Sequence, residues 1–418
     1  MKFKYIFYFV LCFVVAVVAL TFLLPKAQVA VAAPAGWWQI QSIDTMKYSR
    51  DTAGEALTKP SFDKTIDLQV GEVARTGANY VAIGTPYDDQ FLPVLKRWVA
   101  AARRYNLHVW FRGNFSGWEG WFGYANITRD DHIKKLDTFI TKNPDLFQDG
   151  DMFTSCPECE NGGPGDPRQN GDVTGHRQFL ITEYQRANDD FRSIGKNVSV
   201  GYDSMNYDVA SLVMDKATTQ ALGGIVTIDH YVNSPDKLIQ NIRDLANNSG
   251  GKIFLGEFGV PIPDINGNMS DSEQAVWIQN ALSKLIDEKE VIGLNYWVGV
   301  GGSTALWHED GSAKEAVGVV TSFFSPTVTQ GTVYNQFHVP VSDVTVSSVY
   351  KDVTTNAQGD FTISLAPSDT TLHAAKSGYV PLDYMVSSTA GPVALTIQKT
   401  NVSFLEEMVY RLIGLFHR

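Results

Sequence analysis

The sequence predicts an α/β chain: a (β/α)8 barrel of the TIM-barrel type, followed by a small C-terminal all-β sandwich domain. Two observations carry this. From Gly36 to about Ser325, eight short apolar runs alternate with amphipathic stretches, the pattern of a parallel sheet with crossover helices. After "TSFFSPTVTQGT" (321–332) the texture changes to short alternating strands separated by turn residues, as in a sandwich.

The chain opens with "MKFKYIFYFVLCFVVAVVALTFLLPKAQVAVAAPAGWW", where Lys2 and Lys4 precede a nearly unbroken apolar run from Tyr5 to Leu24 and "VAA" at 31–33 offers small residues for cleavage. Residues 1–33 therefore read as a signal peptide or as an N-terminal membrane anchor of about 20 residues. Cleavage after Ala33 removes three lysines and moves the formal charge from −11 to −14. Either alternative puts the barrel outside the cytoplasm, secreted or membrane-anchored, and the second implies membrane association through this segment.

Composition bounds the rest. The 418 residues fit a barrel of about 250 residues plus a small module. A hydrophobic share of 44% supports a real core. The net charge of −11 argues against a nucleic-acid partner, which calls for a basic surface. Aromatics at 12% allow stacking surfaces as well as core.

The predicted strands are "WWQIQSI" (37–43), "NYVAIGT" (79–85), "LHVWFRG" (107–113), "DMFTSC" (151–156), "VSVGYDS" (198–204), "GIVTIDHY" (224–231), "KIFLGEFG" (252–259) and "VIGLNYWVG" (291–299). Amphipathic helical patterns lie between them at 91–105, 131–143, 176–195 and 272–289. A doubly wound open sheet is the alternative, but no Gly-rich dinucleotide fingerprint follows the first strand. The barrel spans 36–325 and the sandwich 328–398, with turn signals "NAQGD" and "KSGY". In 400–418 an amphipathic helix places Phe404, Leu405, Met408, Leu412, Leu415 and Phe416 largely on one face, which docks on the sandwich or lies on a membrane surface.

Active sites of such barrels sit at the C-terminal ends of the strands. Strand three ends at Arg112 and Asn114, with Trp118 and Trp121 following. Strand four ends in "CPECENGG", giving Glu158 and Glu160. Strand five ends at Tyr202 and Asp203, strand six at Asp229, His230 and Tyr231, strand seven at Glu257, and strand eight at Tyr296 and Trp297. Cys156 and Cys159 read as a tight disulfide in an exported chain. A zinc site needs four ligands, and no second Cys or His pair stands at suitable spacing.

The barrel resembles the clan of retaining glycoside hydrolases that includes the family 5 cellulases and mannanases. "LGEFG" (255–259) matches the clan's nucleophile motif after strand seven, Trp297 matches its tryptophan after strand eight, and "LWHEDGSAKEA" (306–316) resembles the stretch that often follows. The resemblance implies Glu257 as nucleophile and Glu158 as acid/base, 99 residues earlier. It also implies a carbohydrate substrate and no metal or organic cofactor. Two such carboxyls stand about 5–5.5 Å apart, one ionised to attack the anomeric carbon and one protonated to assist the leaving group. Tyr231 takes the clan's place for a tyrosine bonded to the nucleophile. His230 reads equally as a pocket wall or a core histidine, and Arg112 as the partner of Glu257 or as a structural pair elsewhere.

There is one departure. The clan usually places Asn before the acid/base, and here that position is Pro157. Either another amide, Asn161 or Asn114, binds the sugar, or Glu160 is the acid, or the acid is lost and the chain is a catalytically inactive carbohydrate-binding or cell-surface interaction protein. Trp118, Trp121 and Trp297 suit sugar stacking; Trp98 and Trp277, inside predicted helices, suit the core. The sandwich resembles carboxypeptidase-regulatory-like modules in "GTV" (331–333), "PVSDVTVS" (340–347), "TTNAQGDFTI" (354–363) and "AAKSGYVP" (374–381), which implies an accessory role. The leading expectation is an exported retaining hydrolase of β-glycosidic bonds in a poly- or oligosaccharide.

Overall fold

The computed structural model describes residues 37–162, 165–367, 369–386 and 392–414. The N-terminal apolar run lies outside the described residues. Eight parallel strands form the barrel: β1 (Ile40–Asp44), β2 (Tyr80–Ile83), β3 (His108–Phe111), β4 (Met152–Phe153), β5 (Ser204–Asn206), β6 (Ile225–Asp229), β7 (Lys252–Phe258) and β8 (Val291–Tyr296). β1 pairs with both β2 and β8. The ring closes between β4 and the segment before β5, where Met152 bridges Ser199 in parallel and the Phe153 amide donates to the Ser199 carbonyl at 2.8 Å.

The fifth strand differs from its sequence span. The 198–204 run is split: Ser199 closes on β4, and only Ser204–Asn206 pairs with β6. Gly201 stands between the halves at φ +89°, a backbone region that glycine enters without the Cβ penalty. Apolar alternation does not reveal this break, because Val198 and Val200 before Gly201 and Tyr202 to Ser204 after it are buried alike.

Two packing layers follow from strand alternation. Val109 and Phe111 of β3 join the large cluster between strands and helices. Trp110 instead packs with Ile40, Ala82, Met152, Tyr202 and Phe254 in a separate cluster, the barrel interior. Two residues beyond Trp110, on the same face of the strand, stands Arg112. The helices Leu92–Arg104, Arg129–Lys142, Val173–Ser193 and Asp271–Leu285 fall close to their sequence spans. Asp271–Leu285 opens with a reciprocal capping box between Ser270 and Glu273, satisfying backbone donors that the first turn leaves open. Asp63–Arg75 and Pro235–Ser249 are helices the sequence reading did not single out. Trp98 and Trp277 are buried, as expected for core residues.

A bulge on β7 explains the glycine before Glu257. Ile228 of β6 pairs with Leu255, but Asp229 pairs with Glu257, so Gly256 is an extra residue. Phe254 faces the interior and Leu255 the helices. Strict alternation would send Glu257 outward, and the inserted residue turns it in. Asn295 Nδ2 donates to the Gly256 carbonyl at 2.8 Å. A Cβ at Gly256 would lie 2.6 Å from Asp229 Oδ1, so the position excludes any side chain.

The C-terminal domain has two four-stranded sheets. β9 (Thr327–Asn335), β12 (Asp360–Leu365), β14 (Tyr379–Val380) and β16 (Val393–Lys399) form one; β10 (Thr345–Ser347), β11 (Asp352–Thr354), β13 (Thr371–Ala375) and β15 (Leu382–Met385) form the other. Val333, Val346, Phe361, Ile363, Leu372 and Leu395 are among its core residues. In the "NAQGD" turn, Asn356 Oδ1 accepts from the amides of Gln358 and Asp360, each at 2.9 Å, and Gly359 takes φ +75°. Trp38 packs edge-on against Phe324. Trp37 packs on Tyr350 of the sandwich at 6.4 Å.

The helix Phe404–Gly414 meets the sandwich through Tyr410, stacked on Phe337 at 5.7 Å, and through Glu406, bonded to Lys399 at 2.8 Å. Phe404, Leu405, Met408 and Leu412 of the predicted apolar face are exposed; Leu415 and Phe416 lie outside the described residues. Among the described residues no helix is long and apolar enough to cross a membrane.

Gly256→Ala should destabilise the fold by about 1–3 kcal/mol, the usual cost of overpacking, read from denaturant unfolding. Unchanged stability would show that the bulge is not sterically fixed.

Candidate active site

Arg112 is the centre of the barrel mouth and is fully buried. Its Nη1 donates to Glu257 Oε1 at 2.5 Å and to Asp44 Oδ2 at 3.0 Å. Its Nη2 donates to Asp229 Oδ2 at 2.6 Å and to Ser204 Oγ at 3.1 Å. One guanidinium thus serves three carboxylates, which arrive from the ends of β1, β6 and β7. One cation cannot neutralise three anions, and burial raises both Asp44 and Asp229 above the ordinary aspartate range.

Glu257 has a second donor. Tyr231 Oη, just beyond β6, donates to Glu257 Oε2 at 2.5 Å. Burial, together with the Glu257 charge, pushes the Tyr231 phenol well above its ordinary value, which keeps it a donor. Both oxygens of Glu257 are therefore fixed.

Glu158 faces this assembly. Glu158, Asp229 and Glu257 each present a carboxylate oxygen, all within 4.8 Å of one another. The cation these groups meet is Arg112. Glu158 takes φ +46°, a sparsely populated region for a non-glycine residue and the kind of outlier found at active sites. Its amide donates to the Ser204 carbonyl at 2.7 Å. Burial first, and then the Glu257 charge, raises its pKa from 4.5 to about 8. At neutral pH it therefore holds a proton.

Glu160 is placed differently. Its Oε1 accepts from the Asn206 amide at 2.7 Å and from Asn206 Nδ2 at 3.0 Å, so it ties the loop to β5. Cys156 and Cys159 form a disulfide across this loop. A narrow pocket opens above Arg112 and Glu158, with Arg50, Asn114, Glu119 and Trp121 also in its wall.

The remaining sequence candidates separate. Asn114 reaches the pocket. Trp121 does too, but Arg50 lies 4.3 Å over its ring centroid, so one face is already covered. Trp297 stands edge-on to Tyr231 at 6.0 Å, with Lys47 Nζ 5.4 Å over its ring. Trp118 is a correction: it is buried, stacked on Phe179 at 5.1 Å, and donates through Nε1 to the Cys159 carbonyl at 3.1 Å. The short helix Ser116–Glu119 turns it into the core, and no sugar reaches it. His230 stacks on Tyr207 at 4.5 Å and bonds Asn241 at 2.9 Å, and burial lowers its pKa to about 4, so it packs as a neutral wall. Asp44 and Glu119 were missed. Asp44 directly follows the first predicted strand, and reading past that strand's end as was done for the third finds it.

No family model matches the chain, and no curated protein does. Solved structures do. A GH5_18 protein of Bifidobacterium longum subsp. longum in complex with Manb1-4GlcNAc aligns with TM-score 0.50 at 12% identity, over 71% of this chain and 82% of that one. A GH5_18 protein of Streptomyces cattleya with the same ligand gives 0.50 at 13%, over 71% and 84%. A fungal beta-1,4-galactanase gives 0.50 at 13%, over 68% and 99%. The chain spans 44% of the length of the Bacteroides uniformis beta-glucuronidase it matches at TM-score 0.45 and 10% identity. At these identities the likeness establishes the fold alone, a (β/α)8 barrel.

The raised Glu158 has a stability consequence. Between its unfolded value of 4.5 and its folded value of about 8, the folded state holds more protons, so this group's contribution to stability falls as pH rises through that window. Glu158→Gln should raise Tm more at pH 9 than at pH 5, by calorimetry. An equal effect at both would contradict the shift.

Proposed function

We propose that this chain is a retaining glycoside hydrolase of β-glycosidic bonds, with Glu257 as nucleophile and Glu158 as acid/base. The observation that carries the reading is the carboxylate pair: oxygens within 4.8 Å, one held by Arg112 and Tyr231, the other raised to about 8. A close pair suits double displacement, because an inverting enzyme must leave room for a water between its carboxyls. Glu257 attacks the anomeric carbon while Glu158 gives its proton to the leaving oxygen. The glycosyl-enzyme is then opened by a water that Glu158, now a base, deprotonates. Tyr231 and Arg112 hold Glu257 in one rotamer, limiting the reorganisation the step requires.

Export is part of the proposal, supported by the N-terminal charge-then-apolar pattern and by a disulfide suited to an oxidising compartment. The sandwich serves as an accessory module of the carboxypeptidase-regulatory-like type. The binding-protein alternative rests on Pro157; the geometry of Glu158 favours the enzyme.

The test is reducing-sugar release from β-glucans, mannans, xylans and galactans by residues 34–418. Glu257→Gln should abolish turnover, Glu158→Gln should cost about 10²–10⁴-fold with substrates that need protonation, and Glu160→Gln should keep most activity. Full activity in Glu257→Gln would sink the assignment.

A further inference from the structure

The two candidate carboxyls are carried differently. Glu257 lies within β7, Lys252–Phe258, where the ladder fixes its backbone. Glu158 is not on a strand. β4 ends at Phe153, and its pairing with β3 goes no further than Thr154, whose amide donates to the Phe111 carbonyl at 2.9 Å. A site residue on a loop is held less firmly than one on a strand, so Glu158 depends on what ties its loop down.

The loop is tied on both sides of Glu158. The Ser155 and Cys156 amides donate to Asp203 Oδ1 at 3.0 and 3.4 Å. Pro157 has its φ set by its own ring. Beyond Glu158, the Cys159 carbonyl accepts from Trp118 Nε1 at 3.1 Å, and Glu160 is held by Asn206. Ser155, Cys156, Pro157, Cys159 and Glu160 are all buried, and Glu158 alone of this run is partly exposed. Its backbone stands at φ +46° and ψ +48°, a conformation that persists in a non-glycine residue only where the surroundings over-determine it. The Cys156–Cys159 disulfide brackets that residue. Three residues of extended chain span about 10 Å, and here the two Cα atoms stand 5.2 Å apart. The turn is therefore closed beneath Glu158, whose side chain projects from it into the pocket. A disulfide constrains the unfolded chain less the shorter the loop it closes, so the main effect of this one is local.

We propose that the Cys156–Cys159 bond is the positioning device for Glu158, and that both cysteines are positioning residues for the acid/base step rather than staples of the barrel. With the bond in place, a loop glutamate has the fixity that β7 gives Glu257. Without it, Asp203 and Asn206 still tie the two ends of the loop, but the left-handed residue between them relaxes and its carboxyl turns from the pocket to water. The bond joins no two strands or helices of the barrel, so its loss leaves the ladder in place. The catalytic consequence rests on the glycosidase reading; the placement of Glu158 does not.

The experiment compares the full chain with two double variants, Cys156→Ala/Cys159→Ala and Cys156→Ser/Cys159→Ser. The substrates are the dinitrophenyl and phenyl β-glycosides of cellobiose and of mannobiose. Their kcat/KM reports the first displacement, in which dinitrophenolate leaves without a proton and phenolate leaves with one. The variants should lose about 100-fold on the phenyl glycosides, the scale of a misplaced catalytic group, and keep most of kcat/KM on the dinitrophenyl ones. A bond that served only stability would affect both leaving groups alike. Independently of turnover, the Glu158 carboxyl is titrated by NMR. Its midpoint, about 8 in the wild type, should fall toward 4.5 in the variants as the carboxyl gains water. A fallen midpoint, with no glycoside turned over by the wild type, would remove the glycosidase reading and keep this one. An unchanged midpoint overturns the inference, as does an equal effect on the two leaving groups. Loss of the cooperative thermal transition in both double variants also overturns it, because the bond would then serve the fold.

Discussion

Arg112 is the constraint on which the rest of the site depends. Burying a guanidinium costs several kcal/mol before any partner is counted. The barrel meets that cost by bringing a carboxylate from each of three strands to one cation. Two consequences follow from the imbalance of charge. Asp44 and Asp229 are pushed toward their neutral forms, and Glu257 makes the shortest of the three contacts and takes a phenol on its other oxygen. Glu158, with no such partner on its side of the pocket, answers to burial and to the Glu257 charge and keeps its proton. The division between the two glutamates is thus set by where the arginine is.

Where the arginine is follows from strand parity. Trp110 points into the barrel and closes its floor with Ile40 and Phe254, so Arg112 points the same way one layer higher. Parity alone would misplace Glu257. The bulge at Gly256 corrects it, and the glycine also makes room for Asp229. Local rules are broken at a second place, Glu158 in the left-handed region.

Much of this was legible in the sequence. The eight apolar runs mark the eight strands because parallel strands are buried on both faces, and the helices announce themselves by amphipathic period. The contact of Tyr231 with Glu257 was implied by the resemblance, and that of Arg112 was one of two alternatives the strand ends left open. Other features were not. Gly201 splits a strand that reads as continuous. Trp118 follows a strand end like a binding residue, yet a single helical turn buries it on Phe179. Glu158 and Glu160 are two residues apart and look alike in sequence. Only the backbone turn at Glu158 and the hydrogen bonds of Asn206 separate them. Glu119 carries no strand-end signal, and the contacts that run from it through Asn114 to His132 and Glu183 are brought together by tertiary packing alone.

The central claim is that Glu158 holds its proton at neutral pH because it is buried and because it faces the Glu257 carboxylate. The most direct measurement is a pH titration of the Glu158 carboxyl carbon by NMR on protein labelled at the glutamate side chain, assigned with Glu158→Gln and repeated in Glu257→Gln. The account predicts a midpoint near about 8 in the wild type, falling once the neighbouring charge is removed. A midpoint near 4.5 in both proteins would contradict it.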